Sequence, residues 1–195
     1  MANTYTQIHI QTIFAVQNRQ SLIQREWQEE LYKYITGIVQ NNKHKVLQIN
    51  GMSDHIHLFI GTRPSQSLSN LMKAVKGESS EWINKKGFTK GKFTWQAGYG
   101  AFSYAKSQVP KVIRYIQNQE EHHRKKTFTE EYLDFLKAFE IEYDGRFIFK
   151  PVVWYIPYLT AQETTYSFLN RLKRKIMEGW NVVDVEQIKE QLKKQ

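Results

Sequence analysis

Residues 54 to 60 read Asp-His-Ile-His-Leu-Phe-Ile, an alternation that constrains the fold of this chain more than any other segment. Successive side chains of a β-strand point to opposite faces, so residues two apart share a face about 7 Å from one another. The pattern therefore predicts a strand with His55 and His57 on one face. Its apolar face consists of Ile56, Leu58 and Ile60. Two imidazoles on one strand are either part of a metal site or two histidines on a half-exposed sheet.

Composition limits the classes of function. The chain has 195 residues, 41% of them hydrophobic and 14% aromatic, which is typical of a folded domain. It contains no cysteine, which excludes disulfides, thiolate zinc sites and cysteine nucleophiles. The first residues lack the pattern of a signal peptide, and no apolar run approaches the ~20 residues that span a bilayer. We therefore expect a cytoplasmic protein without a membrane partner.

The net charge favours a polyanionic partner. The formal charge is +9, from 28 basic and 19 acidic residues, and such an excess makes nucleic acid a reasonable partner. Lysines on helix exteriors are usually only solvated, so each candidate phosphate contact is weak by itself. Candidate DNA contacts are Arg19, Lys73, Lys76, Lys85, Lys86 and Lys92, with Trp95 as a stacking surface.

The predicted elements follow a recognisable order. Strands are predicted at 5–16, 44–50, 54–60 and 93–104, and helices at 22–41, 67–85, 107–122 and 127–140. The β-α-β-β-α-β order predicts an α+β fold, with a ferredoxin-like or RRM-like antiparallel sheet and helices on one face. We expect the other face, with His55, His57 and Phe59, to be open. Residues 1–149 form the predicted domain, and 150–195 a C-terminal helical extension with helices at 165–178 and 184–194.

The third predicted helix carries a second group of polar side chains. Its apolar stripe is Val109, Val112, Ile113 and Ile116. Tyr115, Gln119 and His122 form a row beside that stripe, one turn apart. A tyrosine at such a border is usually amphipathic packing. Next to two histidines, however, the Gln119 amide oxygen could be a third metal ligand and the Tyr115 hydroxyl a nucleophile.

Such a set suits phosphoryl transfer to a protein nucleophile. Tyrosine has an ordinary pKa near 10 and is a poor nucleophile at neutral pH. A divalent ion on the phosphate oxygens would compensate by neutralising charge in the transition state. The resulting phosphotyrosine keeps the bond energy, so a free 3′-hydroxyl could reverse the step. This chemistry is strand transfer rather than hydrolysis.

The chain resembles the single-tyrosine HUH transposases of small bacterial insertion sequences, including their repeat-associated relatives. The resemblance covers roughly residues 1–149. It combines the His55-Ile56-His57 motif with a Tyr-x-x-x-Gln motif from Tyr115 to Gln119. The stretches that carry it are 10–20, 51–58, 71–84, 93–103 and 115–123.

The resemblance implies roles for individual residues. His55, His57 and Gln119 would hold Mg²⁺ or Mn²⁺, and Tyr115 would take the 5′-phosphate of cleaved single-stranded DNA. Such enzymes cut beside hairpins at element ends without a nucleotide cofactor. They are dimeric, and composite active sites are expected. Since two imidazoles favour a softer ion than Mg²⁺, we expect Mn²⁺ to bind more tightly.

Several alternatives remain open at this point. Tyr99 and Tyr104 compete with Tyr115 as nucleophiles, although Tyr99 stands between two glycines, a position typical of structural packing. His122 and His123 are interpreted as solvated or phosphate-facing residues at a helix end, with metal binding as the alternative. The chain could also be a non-catalytic single-stranded nucleic-acid-binding module, since RRM domains use the same element order. A third alternative is a domesticated relative that cuts DNA but mobilises no element.

Overall fold

A computed structural model of the chain describes residues 5–144 and residue 148. The predicted extension at 150–195, with its two helices, lies outside these residues. Residues 141–144 belong to no helix or strand.

Four antiparallel strands form the sheet, which confirms the α+β class. The strands are β1 (Ile8–Ala15), β2 (Lys45–Gly51), β3 (His55–Thr62) and β4 (Gly100–Tyr104). Their spatial order is β2-β3-β1-β4. The histidine strand β3 pairs with both β1 and β2, so it occupies a central position. The fourth strand is shorter than predicted, because Trp95 makes only an isolated bridge to Val16.

The tight β2–β3 hairpin determines where the histidine strand begins. Gly51 pairs with Ile56, and the Met52 N–H donates to the His55 carbonyl at 3.0 Å. A Cβ added to Gly51 would lie 2.2 Å from that same carbonyl oxygen. Only glycine therefore allows the two strands to approach so closely at this point.

Five α-helices accompany the sheet in the described part of the chain. They are α1 (Arg25–Asn41), α2 (Leu68–Lys86), α3 (Val109–Gln117), α4 (Gln119–His123) and α5 (Phe128–Ala138). The prediction of one helix over 107–122 is wrong in its continuity. Asn118 departs from helical geometry, with φ −96° and ψ 26°, and separates α3 from α4. None of the helices described is long and apolar enough to span a membrane.

Helices α1 and α2 cover the predicted apolar face. Ile56, Leu58 and Ile60 are fully buried and belong to one cluster with residues of both helices. Leu31 and Ile35 come from α1, and Leu71, Met72 and Val75 from α2. Burial of such side chains contributes about 1.5–3 kcal/mol each.

The expectation that the other sheet face is open is wrong, because α3 and α5 cover it. Phe59 packs with Val109, Val112 and Ile116 of α3. Phe128 and Leu136 of α5 pack with strand residues Ile13 and Phe102. His55, His57 and Phe59 are at most 1% exposed. The apolar stripes of α3 and α5 need a surface to bury them, and this face of the sheet provides it.

Candidate active site

Four side chains converge between the sheet and the helices on its second face. They are His55 and His57 of β3, His123 of α4 and Glu131 of α5, and one ligand atom from each lies within 4.8 Å of the others. His123 Nε2 is 3.1 Å from His55 Nε2. Glu131 Oε2 lies 3.3 Å from His57 Nε2 and 3.4 Å from His123 Nε2.

The spacing of these donor atoms fits a metal ion. Adjacent ligand atoms of an octahedral site with bonds of about 2.0–2.1 Å stand about 3 Å apart. His57 Nε2 and Glu131 Oε2 are buried, and neither has an aligned hydrogen-bond partner among the described residues. Buried polar atoms without partners are costly. A cation between them would satisfy both.

The other ring nitrogens of two histidines are held in the orientation that metal ligation requires. His55 Nδ1 lies 2.7 Å from Asp54 Oδ1, and His123 Nδ1 lies 2.9 Å from the Lys126 carbonyl oxygen. Both partners are acceptors, so each Nδ1 carries the proton and each Nε2 presents its lone pair to the site.

His57 is oriented by a longer chain of hydrogen bonds. Its Nδ1 lies 2.9 Å from the Gln11 amide nitrogen, and the Tyr104 hydroxyl donates to Gln11 Oε1 at 3.0 Å. A ligating Nε2 requires a half-turn of the Gln11 amide. Its oxygen then accepts from His57 Nδ1–H, and its NH₂ donates to Tyr104.

The electrostatic environment favours the neutral forms of His57 and His123 and the ionised form of Asp54. Burial lowers the pKa of His57, and burial together with His55 lowers that of His123 to about 4. Burial would raise the pKa of Asp54, but His55 and Arg19 hold it well below its usual value. Neutral imidazole is the form that binds metal.

Asp54→Asn should weaken Mn²⁺ binding about 10- to 100-fold, because it removes the charged partner of His55 Nδ1. Isothermal titration of the full chain measures this affinity. Glu29→Gln is the matched control, since it makes the same change at an exposed residue paired only with Lys33. An Mn²⁺ affinity for Asp54→Asn equal to that of the control would contradict the expectation.

Tyr115 is connected to the cluster through Glu131. The Tyr115 hydroxyl donates to Glu131 Oε1, and the Gln119 amide nitrogen donates to the same oxygen at 3.2 Å. The Tyr115 ring centroid lies 6.1 Å from that of His57. Tyr115 and Glu131 also line a cavity of about 530 Å³, with Lys111 and Lys126. One carboxylate therefore contacts both the phenol and the histidines.

The predicted third ligand, Gln119, lies in the same place. It is fully buried, and its Oε1 has no hydrogen-bond partner in the part of the chain described. Of the rival tyrosines, Tyr99 packs against the core beneath α1 and α2, and Tyr104 donates to Gln11. Of these three tyrosines, Tyr115 is the one that hydrogen-bonds to Glu131 within the described residues.

His123 and Glu131 were not predicted as site residues. His123 was interpreted as a solvated or phosphate-facing residue, but it lies within the cluster. Glu131 stands between Phe128 and Phe135 at helical spacing, so a carboxylate interrupts the apolar stripe of α5. A buried carboxylate usually has a cationic partner or a metal, and that position was the available signal.

Two predicted DNA contacts have other roles. The Arg19 guanidinium pairs with Asp54 at 3.0 Å and donates to Thr129 at 2.8 Å, with only 11% of the side chain exposed. Trp95 is buried, and its Nε1 donates to Ser79 Oγ at 2.9 Å. Arg19 therefore contacts the site indirectly, through Asp54, which bonds His55. Trp95 is a core residue rather than a stacking surface.

The predicted lysine contacts lie apart from the cluster. Lys76 donates to the carbonyls of Gln96 and Gly98, each at 2.6 Å, and burial lowers its pKa. Lys85 and Lys86 pair with Glu81 and Glu30 at the surface. Lys73 and Lys92 are exposed. Lys111 and Lys126, beside Tyr115, were not among the predicted contacts.

Comparison with known proteins gives the family. A family profile described as "Transposase IS200 like" matches residues 4–119 of the chain. The chain belongs to the IS200-like transposase family. It is 24% identical over 118 residues to the ISDra2 transposase TnpA of Deinococcus radiodurans, covering 58% of this chain and 84% of that protein.

Solved structures agree with the fold. A crystal structure from Deinococcus radiodurans R1, of a protein assigned as a transposase, aligns with a TM-score of 0.50 and 20% identity. The alignment covers 61% of this chain and 95% of that one. The REP-associated tyrosine transposase bound to a REP hairpin aligns with a TM-score of 0.49 and 13% identity, over 63% of this chain and 73% of that one.

Proposed function

We propose that this IS200-like transposase cleaves and rejoins single-stranded DNA through a 5′-phosphotyrosine formed on Tyr115, in a metal-dependent reaction. The supporting observation is that Glu131 bonds the Tyr115 hydroxyl with one oxygen and faces His57 with the other. Such an arrangement brings a nucleophile and a set of metal donors to one point.

In this proposal a residue of the chain itself, Glu131, deprotonates the nucleophile. Glu131 Oε1 takes the hydroxyl proton as the Tyr115 oxygen attacks phosphorus, and the DNA 3′-oxygen leaves and takes a proton from solvent. The new phosphodiester joins tyrosine to the 5′-phosphate. A free DNA 3′-hydroxyl reverses these steps and releases Tyr115, so the strand is rejoined.

His55 and His57 would hold the divalent ion, with the unpartnered Gln119 amide oxygen as a further ligand. Once bound, the ion supplies positive charge to the scissile phosphate. The ion is Mn²⁺ or Mg²⁺, and imidazole donors favour Mn²⁺. No nucleotide cofactor enters, because the phosphotyrosine conserves the energy of the broken bond.

The proposed substrate is single-stranded DNA whose cleavage site is marked by a hairpin at an element end, as the family resemblance implies. The +9 charge supports a nucleic acid partner. Lys111 and Lys126 line the cavity beside Tyr115 and offer positive charge to the backbone. The alternative of an RRM-like binding module needs an open sheet face, and α3 and α5 cover that face. A relative that cuts DNA without mobilising an element would use the same site.

We propose that Tyr115 acts on the histidines of its own chain, because both contact the same Glu131. A homodimer and a cytoplasmic location stay predictions. If the chain dimerises, each subunit would then contain a whole site rather than half of two.

An adduct assay with the full chain tests the proposed function. A single-stranded hairpin oligonucleotide labelled at its 3′ end is incubated with Mn²⁺ and separated on a denaturing gel. Because tyrosine takes the 5′-phosphate, the 3′ label should migrate with the protein, whereas a 5′ label should appear in a shorter free fragment. A chelator should abolish both products. Tight binding of hairpins from every candidate end without an adduct would instead support the non-catalytic module.

A further inference from the structure

We infer that the metal centre has three imidazoles and a carboxylate, with His123 and Glu131 joining His55 and His57 as ligands. This set goes beyond the two histidines and one glutamine that the family resemblance implies. The inference rests on the proposed metal-dependent function but concerns the donor set of this chain.

The first observation is the close approach of two ring nitrogens. His55 Nε2 and His123 Nε2 lie 3.1 Å apart. Each ring has its Nδ1 proton committed to an oxygen acceptor, Asp54 Oδ1 for His55 and the Lys126 carbonyl for His123. In neutral rings, the form that binds metal, neither Nε2 then carries a proton to share. Two lone pairs facing each other repel, and a cation between them converts that repulsion into two coordinate bonds.

The second observation concerns Glu131. It is 2% exposed, and within the described residues it pairs with histidines and not with lysine or arginine. An ionised carboxylate buried without a cation is strongly unfavourable. Oε2 has no aligned hydrogen-bond partner, yet it lies within 3.4 Å of two of the histidine donor atoms. A divalent ion would provide the missing charge and accept Oε2 as a ligand.

The third observation is the placement of His123 relative to His122. Both follow Tyr115 and Gln119 in sequence, but only His123 belongs to the group of four convergent donors. His122 Nε2 lies 3.5 Å from Glu131 Oε1, the oxygen that bonds Tyr115. His123 therefore lies beside Glu131 Oε2, which faces the metal donors, and His122 lies beside Oε1, which bonds Tyr115. The two adjacent histidines can serve as a matched pair of variants.

A donor set of three imidazole nitrogens and a carboxylate oxygen has a chemical consequence. Mg²⁺ prefers oxygen ligands throughout, whereas Mn²⁺ and later divalent ions accept imidazole readily. The preference for Mn²⁺ over Mg²⁺ should therefore exceed that of a site with two histidines and an amide.

Electron spin-echo modulation of Mn²⁺ bound to the full chain counts its coordinated imidazole nitrogens. We expect three in the native protein, two in His123→Ala and three in His122→Ala. Glu131→Gln should keep three nitrogens but lower the Mn²⁺ affinity at least about tenfold by isothermal titration. Far-ultraviolet circular dichroism without metal checks the fold, and His123→Gln, which preserves more volume, should repeat the count of two if His123→Ala fails to fold.

Two nitrogens in the native protein, an unchanged count in both His123 variants or no Mn²⁺ binding would overturn the inference. Unchanged affinity in Glu131→Gln would remove the carboxylate from the set. The adduct assay tests the proposed reaction independently of the donor set. Three coordinated nitrogens without an adduct would support this donor set and reject the proposed reaction. An adduct with only two coordinated nitrogens would support the reaction and reject the donor set.

Discussion

Tyr115→Phe should abolish the covalent protein–DNA adduct, with a loss of at least about a thousandfold in the rate of cleavage. The substitution removes only the attacking oxygen. Glu131 keeps its hydrogen bond from the Gln119 amide, and the ring keeps its packing against Ile116 and its neighbours in α3. Mn²⁺ affinity should therefore stay close to that of the native chain. A time course of adduct formation on a denaturing gel measures the loss.

Tyr99→Phe is the matched control for this prediction. It removes a phenol oxygen from another candidate tyrosine, whose ring packs against the core beneath α1 and α2. It should form the adduct at the native rate. An adduct that persists in Tyr115→Phe would mean that another residue is the nucleophile, and peptide mapping of the DNA-linked fragment would identify it.

His57→Ala should lower adduct formation at least about a hundredfold, because it removes a central donor of the proposed metal site. Mn²⁺ binding by isothermal titration should weaken in parallel. His57 is fully buried, so His57→Gln serves as a companion that leaves a smaller cavity. His44→Ala is the control for loss of a buried histidine, since His44 bonds Gln66 at 2.8 Å, away from the cluster. Native Mn²⁺ affinity in both His57 variants would exclude His57 as a ligand.

Mixing the two inactive variants distinguishes a site within one chain from a composite one. Tyr115→Phe lacks the nucleophile and His57→Ala lacks a donor, so neither chain contains a whole site. Because Tyr115 and His57 share Glu131 within one chain, we expect the mixture to stay inactive. Recovery of the adduct on mixing would show that the phenol of one subunit serves the histidines of another.

The strands and the first two helices could be predicted well, because their signals are local. Alternation in β3 and the apolar spacing of α1 and α2 reflect a single buried face in each element. Coverage of the second sheet face could not be predicted in the same way. The stripe of α3 indicates that something buries it, but not which surface does so. Only tertiary packing shows that Phe59 is that surface.

The site was predictable where its residues lie close in sequence. His55 and His57 share a strand face, and Tyr115 stands near Gln119, so spacing alone suggested each pair. Glu131 was not predicted, because it follows His57 by many residues and lies on a helix whose apolar pattern dominates. For Trp95 the error is the opposite one, because a binding role was predicted for a residue of the core. An aromatic residue in a basic chain suggested base stacking, whereas its indole donates to Ser79 in the core.

Helices α3 to α5 seal one side of the sheet and also carry Tyr115, His123 and Glu131. Their apolar residues bury Phe59 and Phe102, while their polar residues form most of the proposed active site. A substitution that loosens this layer therefore impairs stability and chemistry together. Copies of the gene that drift under relaxed selection should lose a well-packed structure and DNA cleavage in the same mutational steps, rather than persist as sound but inert proteins.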